Sequence, residues 1–207
     1  MITTLLFDAD GVVQTSAKSF ISDIKSLVPA DQSDEFIQQV FAAEAPPARG
    51  EGDFLVNLQV LLKQWQVVQS IEEVLRIWHQ IEIVPGMTEL LAELRGRGYR
   101  VCLATNQQAN RMMHMRHSMK LDDHFDQAFY SCEIGASKPT PEYFEKVLGR
   151  LEVEPGQVLF VDDNLGNIEG AKICGLNAEH FCVAGKVDPI AELSQALKPY
   201  LETSAAG

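Results

Sequence analysis

The 207-residue chain is short of three things, and each shortage closes off a class of function. Its four cysteines (Cys102, Cys132, Cys174 and Cys182) are widely spaced and form no Cys-x-x-Cys pair. That excludes a disulfide framework and a thiolate zinc site, and it reads as reduced thiols in a cytoplasmic protein. Positive charge is also scarce, with 17 Lys and Arg against 29 Asp and Glu, a net charge of −12. Nucleic-acid backbones and anionic membranes need clustered Lys and Arg, so neither is expected as a partner. No apolar run approaches the roughly 18 residues of a membrane-spanning helix. The N-terminal Met1–Phe7 stretch lacks the basic region of a cleaved signal peptide. Any phosphate chemistry in so acidic a chain would need a cation to help.

What is present suffices for a sizeable core: 46% of residues are hydrophobic. The length fits one domain, or one domain with a modest insertion. Five short apolar runs read as buried strands: Thr3–Phe7, Tyr99–Ala104, Ala128–Ser131, Gln157–Val161 and Ala178–Cys182. Helical spacing marks Met87–Arg97, Gln107–Met119, Pro141–Leu151 (with Thr140 as N-cap), Leu165–Cys174 (stopped by Gly175) and Pro189–Leu201. Thr203–Gly207 reads as a frayed tail. Alternating strands and helices predict an α/β fold, a doubly wound parallel sheet. Between the first two strands the pattern is helical throughout, from Ser19 to about Ile83. This predicts an inserted helical domain at 16–83 and a core made of 1–15 and 84–207.

In such sheets ligands bind beyond the carboxyl ends of the strands. Four short loops at that edge carry Asp8-Ala9-Asp10-Gly11, Thr105-Asn106, Ser137-Lys138-Pro139 and Asp162-Asp163-Asn164. Singly, each has a plain structural explanation as a cap, a satisfied hydroxyl or a solvated charge. Together they crowd three or four carboxylates, a hydroxyl and one ammonium, which is unfavourable unless a cation shares the site. Hard oxygen ligands without His or Cys point to Mg²⁺.

These four motifs, in this order, resemble those of the haloacid dehalogenase-like hydrolase superfamily. The likeness covers nearly the whole chain and is strongest to small sugar-phosphate phosphatases with a helical cap and to the N-terminal phosphatase domain of soluble epoxide hydrolases. It implies a Rossmann-like core that hydrolyses a small phosphorylated metabolite through an aspartyl-phosphate. Asp8 would be the nucleophile, and Asp10 the acid and base, its backbone carbonyl also binding Mg²⁺. Thr105 and Asn106 would hold phosphoryl oxygens, and Lys138 would neutralise charge. Asp8, Asp10 and Asp163 would hold the metal, with Asp162 a second ligand, direct or outer-sphere. Asn167 would bond near Asp163 or face solvent. Gly11 would permit the tight turn. Asp10, where dehalogenases of the family carry an uncharged aromatic, argues for phosphate chemistry. The residues after the first motif, Gln14-Thr15-Ser16, depart from the family's usual acidic pair.

Weaker signals surround this set. Arg49, in the cap loop Ala48-Arg49-Gly50-Glu51, is a candidate substrate clamp or a surface arginine. Asp122, Asp123 and Asp126 precede a strand, which places them at the opposite sheet edge as a solvated loop. His114 and His117 lie among methionines and lack a third metal ligand. Trp65 and Trp78 read as cap core. Rival readings are a phosphomutase, a phosphoacceptor signalling domain and a non-catalytic binding relative. A monomer and a small homo-oligomer both fit the sequence.

Overall fold

The computed structural model describes residues 1–202; the expected tail, Thr203–Gly207, lies outside the described residues. Strand β1 (Thr4–Phe7) ends at the first motif, and the short strand β2 (Gln14–Ser16) leaves it. Four helices follow: α1 (Phe20–Lys25), α2 (Ser33–Glu44), α3 (Phe54–Gln64) and α4 (Ile71–Trp78). Strand β3 (Ile81–Ile83) returns antiparallel to β2, with Gln14 opposite Ile83 and Ser16 opposite Ile81. The chain then runs through α5 (Met87–Gly96), β4 (Arg100–Thr105), α6 (Ala109–Met113), β5 (Gln127–Tyr130), α7 (Ser131–Ile134) and α8 (Pro141–Leu151). It ends with β6 (Val158–Asp162), α9 (Leu165–Ile173), β7 (Asn177–His180) and α10 (Pro189–Glu202).

The principal sheet has the order β5-β4-β1-β6-β7, and every neighbouring pair is parallel. Parallel strands covered on both faces read as continuous apolar runs, and the faces separate with a period of two. Leu5, Phe7, Val101, Leu103, Leu159 and Val161 pack on one face with α5 and α10. Leu6, Cys102, Ala104, Val158 and Phe160 pack on the other with α8 and α9. The insertion has a core of its own, in which Phe36, Phe54, Leu58, Val74 and Trp78 are fully or almost fully buried. Ser70 starts α4 with a reciprocal capping box to Glu73, and Asp53 caps α3 through Leu55 N.

The expected strands and the helix bounds of α8 match to within a residue or two. Three local readings differ. The insertion is not helical throughout: Ile81-Glu82-Ile83 alternates and forms half of a two-stranded ribbon. The expected helix at Gln107–Met119 holds α geometry only to Met113, then widens into a π-helical turn over His114–Ser118. Thr140 stands at the N-cap of α8, but its hydroxyl bonds back to Ser137 O at 2.7 Å. No helix among the described residues is long and apolar enough to cross a membrane.

Candidate active site

Parallel pairing brings the ends of β1, β4 and β6 to one edge, because Phe7 pairs with both Leu103 and Val161. The next residue of β1's chain is Asp8, while Thr105 and Asp162 close β4 and β6. Lys138 arrives from the loop before α8, held there by Asn106. That side chain accepts from Lys138 N at 3.0 Å and donates to Lys138 O at 2.9 Å. Asn106 therefore uses its side-chain amide to fix the lysine loop.

Lys138 is 4% exposed, and its ammonium lies 2.8 Å from Asp8 Oδ1 and 2.6 Å from Asp162 Oδ2. Asp162 is fully buried and also accepts both bonds of the Asn167 amide, at 3.1 and 3.0 Å, and Asn164 N at 2.8 Å. Asn167 thus bonds Asp162, the residue beside Asp163, and does not face solvent. Burial raises the Asp8 carboxyl to about 7, Lys138 opposes that rise, and Asp162 and Asp10 add to it. Asp163 is half-buried and is also raised, first by burial and then by Asp162. Oxygens of Asp8, Asp162 and Asp163 lie within 4.8 Å of one another. Three carboxylates against one ammonium leave a deficit of positive charge, and an all-oxygen donor set suits Mg²⁺ or a similar hard cation.

Gly11 shapes the turn between these groups. Its φ is +77°, and a Cβ there would stand 2.2 Å from Asp163 Oδ2. Glycine suits the left-handed backbone, and a side chain in its place would push the Asp163 carboxylate aside.

Asp10 points the other way. Arg111, from α6, grips it with a two-pronged ion pair, Nη1 to Oδ2 at 2.5 Å and Nη2 to Oδ1 at 2.9 Å. Gln107 donates to Oδ2 at 2.7 Å and Gln14 to Oδ1 at 3.0 Å. Although burial opposes it, the guanidinium with these amides holds the Asp10 carboxyl below the usual range. Arg111 reaches further, donating Nε to the main-chain oxygen of Trp78 at 3.1 Å and Nη2 to Ser16 Oγ at 3.1 Å. One side chain therefore ties Asp10 to the ribbon and to the end of α4.

Two cavities meet here and share Asp10, Ser16 and Asn106. One, of about 380 Å³, holds Asp8, Thr105, Lys138, Asp163 and Asn167. The other, of about 400 Å³, opens toward the insertion between Phe20, Phe41, Glu44, Trp78, Gln108 and Arg111. Glu44 accepts the Trp78 indole N–H at 3.0 Å, and burial raises its carboxyl against the pull of Arg111.

The structure thus brings Asp8, Asp10, Thr105, Asn106, Lys138, Asp162 and Asp163 together at one edge. It does not bring in Arg49, whose guanidinium turns onto Glu51 at 3.2 Å and which lines neither cavity. Asp122 and Asp126 are engaged as well as away from the site. Asp122 accepts Tyr130 Oη and Arg116, and Asp126 accepts Val101 N and Arg95. His114 stacks on His79 with ring centroids 4.2 Å apart. Trp65 and Trp78 do sit in the insertion's core, and Trp78 also walls a cavity. Sequence reasoning missed Arg111, Gln14, Gln107, Gln108 and Glu44. One signal was available: Arg111 stands four residues after Gln107, directly behind the Thr105-Asn106 motif, the spacing of neighbours on the helix expected there. The two side chains bond at 2.9 Å.

Comparison with known proteins agrees with this geometry. The chain is 36% identical over 95 residues to the sesquiterpene phosphatase astK of Aspergillus oryzae, covering 46% of this chain and 48% of that one. It is 31% identical over 120 residues to a glyceraldehyde 3-phosphate phosphatase of Pyrococcus furiosus, covering 58% and 48%. The chain thus spans about half the length of these curated relatives. A family enzyme from Bacteroides thetaiotaomicron, crystallised with magnesium and inorganic phosphate, superposes with a TM-score of 0.77 at 21% identity, covering 91% of this chain and 98% of that one. The family model for haloacid dehalogenase-like hydrolases matches residues 2–175, and with the four motifs converging on one sheet edge, this chain belongs to that family of hydrolases.

Proposed function

We propose that the chain is a Mg²⁺-dependent phosphatase acting on a small phosphorylated metabolite, a sugar phosphate foremost, with 1–15 and 84–207 as catalytic core and 16–83 as cap. The observation that carries this reading is the buried Asp8 carboxylate, 2.8 Å from the Lys138 ammonium and clustered with Asp162 and Asp163. Asp8, Asp163 and the Asp10 carbonyl would hold the metal ion, which when bound supplies the positive charge the carboxylates lack; Asp162 is committed to Lys138 and Asn167 and supports it.

In the reaction proposed, an Asp8 oxygen attacks phosphorus, the bond from phosphorus to the leaving oxygen breaks, and an aspartyl-phosphate forms. Lys138, Thr105 and the Asn106 main-chain N–H offset charge on the phosphoryl oxygens. Asp10 gives a proton to the leaving oxygen, then takes one from the water that attacks the intermediate. Phosphate leaves and Asp8 is restored. To act as acid, Asp10 must first take up a proton, which the Arg111 fork opposes by stabilising its ionised form. The ribbon and α4 share that fork through Ser16 and Trp78, so cap position and Asp10 are mechanically coupled.

The reading is tested by incubating the chain with Mg²⁺ and a panel of phosphorylated metabolites. Release of inorganic phosphate is expected. Conversion of a hexose phosphate to its isomer without phosphate release would make it a mutase, and inertness toward the whole panel would overturn it.

A further inference from the structure

The cavity facing the insertion contains unused hydrogen-bonding capacity of a definite kind. Gln108 is 1% exposed. Its carbonyl oxygen is spent on capping α6, accepting Asn110 N at 2.6 Å and Arg111 N at 3.2 Å. That orientation sends the amide nitrogen the other way, toward the Glu44 carboxylate, whose charged form it favours without completing a well-formed hydrogen bond. Across from it, Glu44 gives one oxygen to Trp78 and retains lone pairs for another donor. Phe20, Phe41 and Trp78 wall the same space, and Phe41 is 40% exposed despite its size.

The charge balance of this cavity is equally specific. Arg111 is the only cationic side chain lining it among the described residues. A guanidinium has five N–H donors. Here they meet Trp78 O, Ser16 Oγ, Gln107 Oε1 and both oxygens of Asp10. Nothing is left over for an anion, and the Asp10 charge is cancelled. Glu44 is the remaining net charge.

A ligand group must therefore donate to Glu44 and accept from Gln108. A hydroxyl does both. An ammonium leaves Gln108 unpaired, a carbonyl leaves Glu44 unpaired, and a second phosphate is repelled by Glu44 with no cation to receive it. We propose that Glu44 and Gln108 form the specificity pair of the site. They bind one hydroxyl of an uncharged leaving group whose C–H face packs on Phe41 and Trp78, and they reject substrates carrying a second phosphate. This rests on the phosphatase reading and narrows its substrate class to polyhydroxylated monophosphates.

The test compares kcat/KM for a hexose 6-phosphate, the matching hexose 1,6-bisphosphate and phenyl phosphate, whose leaving group has no hydroxyl to spare. The wild type should favour the hexose monophosphate over the bisphosphate by at least about tenfold. Gln108→Glu keeps the capping oxygen but replaces the donor. It should lower the ratio of hexose 6-phosphate to phenyl phosphate by about tenfold. Glu44→Gln should raise the ratio of bisphosphate to monophosphate by a similar factor. Each ratio is measured on one preparation, so a partly unfolded variant does not distort it. Ratios that stay within about twofold of wild type in both variants, or a wild type that prefers the bisphosphate, would overturn the inference alone. Failure of the wild type to release phosphate from any of the three with Mg²⁺ would instead sink the phosphatase reading, and this inference with it.

Discussion

Asp8 and Asp10 are separated by one alanine and stand in opposite surroundings. Asp8 belongs to the strand-edge half of the site, where three carboxylates surround one ammonium and burial lifts its pKa to about 7. Asp10 belongs to the cap-facing half, where a guanidinium and two amides saturate it and hold its pKa down. The first half is short of positive charge and so is built to receive a cation and a phosphoryl group. The second half is internally balanced and offers hydrogen bonds in place of charge. The two halves thereby present different electrostatic regimes, only two residues apart.

The sharpest way to break this contrast is to disable the strand-edge half. Asp8→Asn should lower phosphate release at least about a thousandfold while melting near the wild-type temperature. Retained turnover would remove Asp8 from the chemistry. EDTA should next silence the enzyme by a hundredfold or so, and Mg²⁺ should restore it. Full activity in chelator would mean that Lys138 alone balances the carboxylates.

On the cap-facing half, Arg111→Met should cut kcat roughly ten- to a hundredfold. It should also cost about 1–3 kcal/mol in urea unfolding, because Asp10, Ser16 and the Trp78 carbonyl lose their shared donor. A variant that loses stability but keeps kcat would make Arg111 a strut with no hold on Asp10. Gly11→Ala probes the junction of the two halves. The φ of +77° and the 2.2 Å approach to Asp163 should together cost about 1–3 kcal/mol and weaken Mg²⁺ activation several-fold, seen as a higher Mg²⁺ concentration for half-maximal rate.

The smallest effect concerns Glu44. Its folded pKa lies above the ordinary 4.5, so the native state binds more protons than the unfolded state across that window. Stability is therefore lost as pH rises from 4.5 through the folded value, and stays lost above it. Glu44→Gln keeps an acceptor for Trp78 and removes that loss. The melting temperature of the variant should match wild type near pH 4 and exceed it by about 1–3 °C at pH 7. A gap that does not change with pH would show that Glu44 is not strained by burial.

The two halves also differed in how far the sequence revealed them. The strand-edge groups sit one or two residues after apolar strand runs, so Asp8, Thr105 and Asp162–Asp163 could be placed by counting. The lysine loop came from its own motif. The cap-facing groups are legible only through tertiary contacts. Arg111 meets Asp10 across 101 residues, and Glu44 meets Trp78 across 34. Glu44, the last residue of α2, belongs to no motif, and Arg111 offered only its four-residue spacing from Gln107. Arg49 shows the converse, since this loop arginine turns onto its neighbour Glu51 and lines neither cavity. In the insertion, the alternation of Ile81-Glu82-Ile83 was too short to stand out against the helical spacing around it.

The bond from Arg111 to the cap has one further consequence. Its acceptor is the carbonyl oxygen of residue 78, an atom that every amino acid supplies. The grip on the insertion is therefore indifferent to which side chain stands there. Side chains lining the insertion's inner wall can be exchanged while Asp10 keeps the same tether. Sequence change in the insertion and retention of the Asp10 anchor are separable in this architecture because the link between them runs through the main chain.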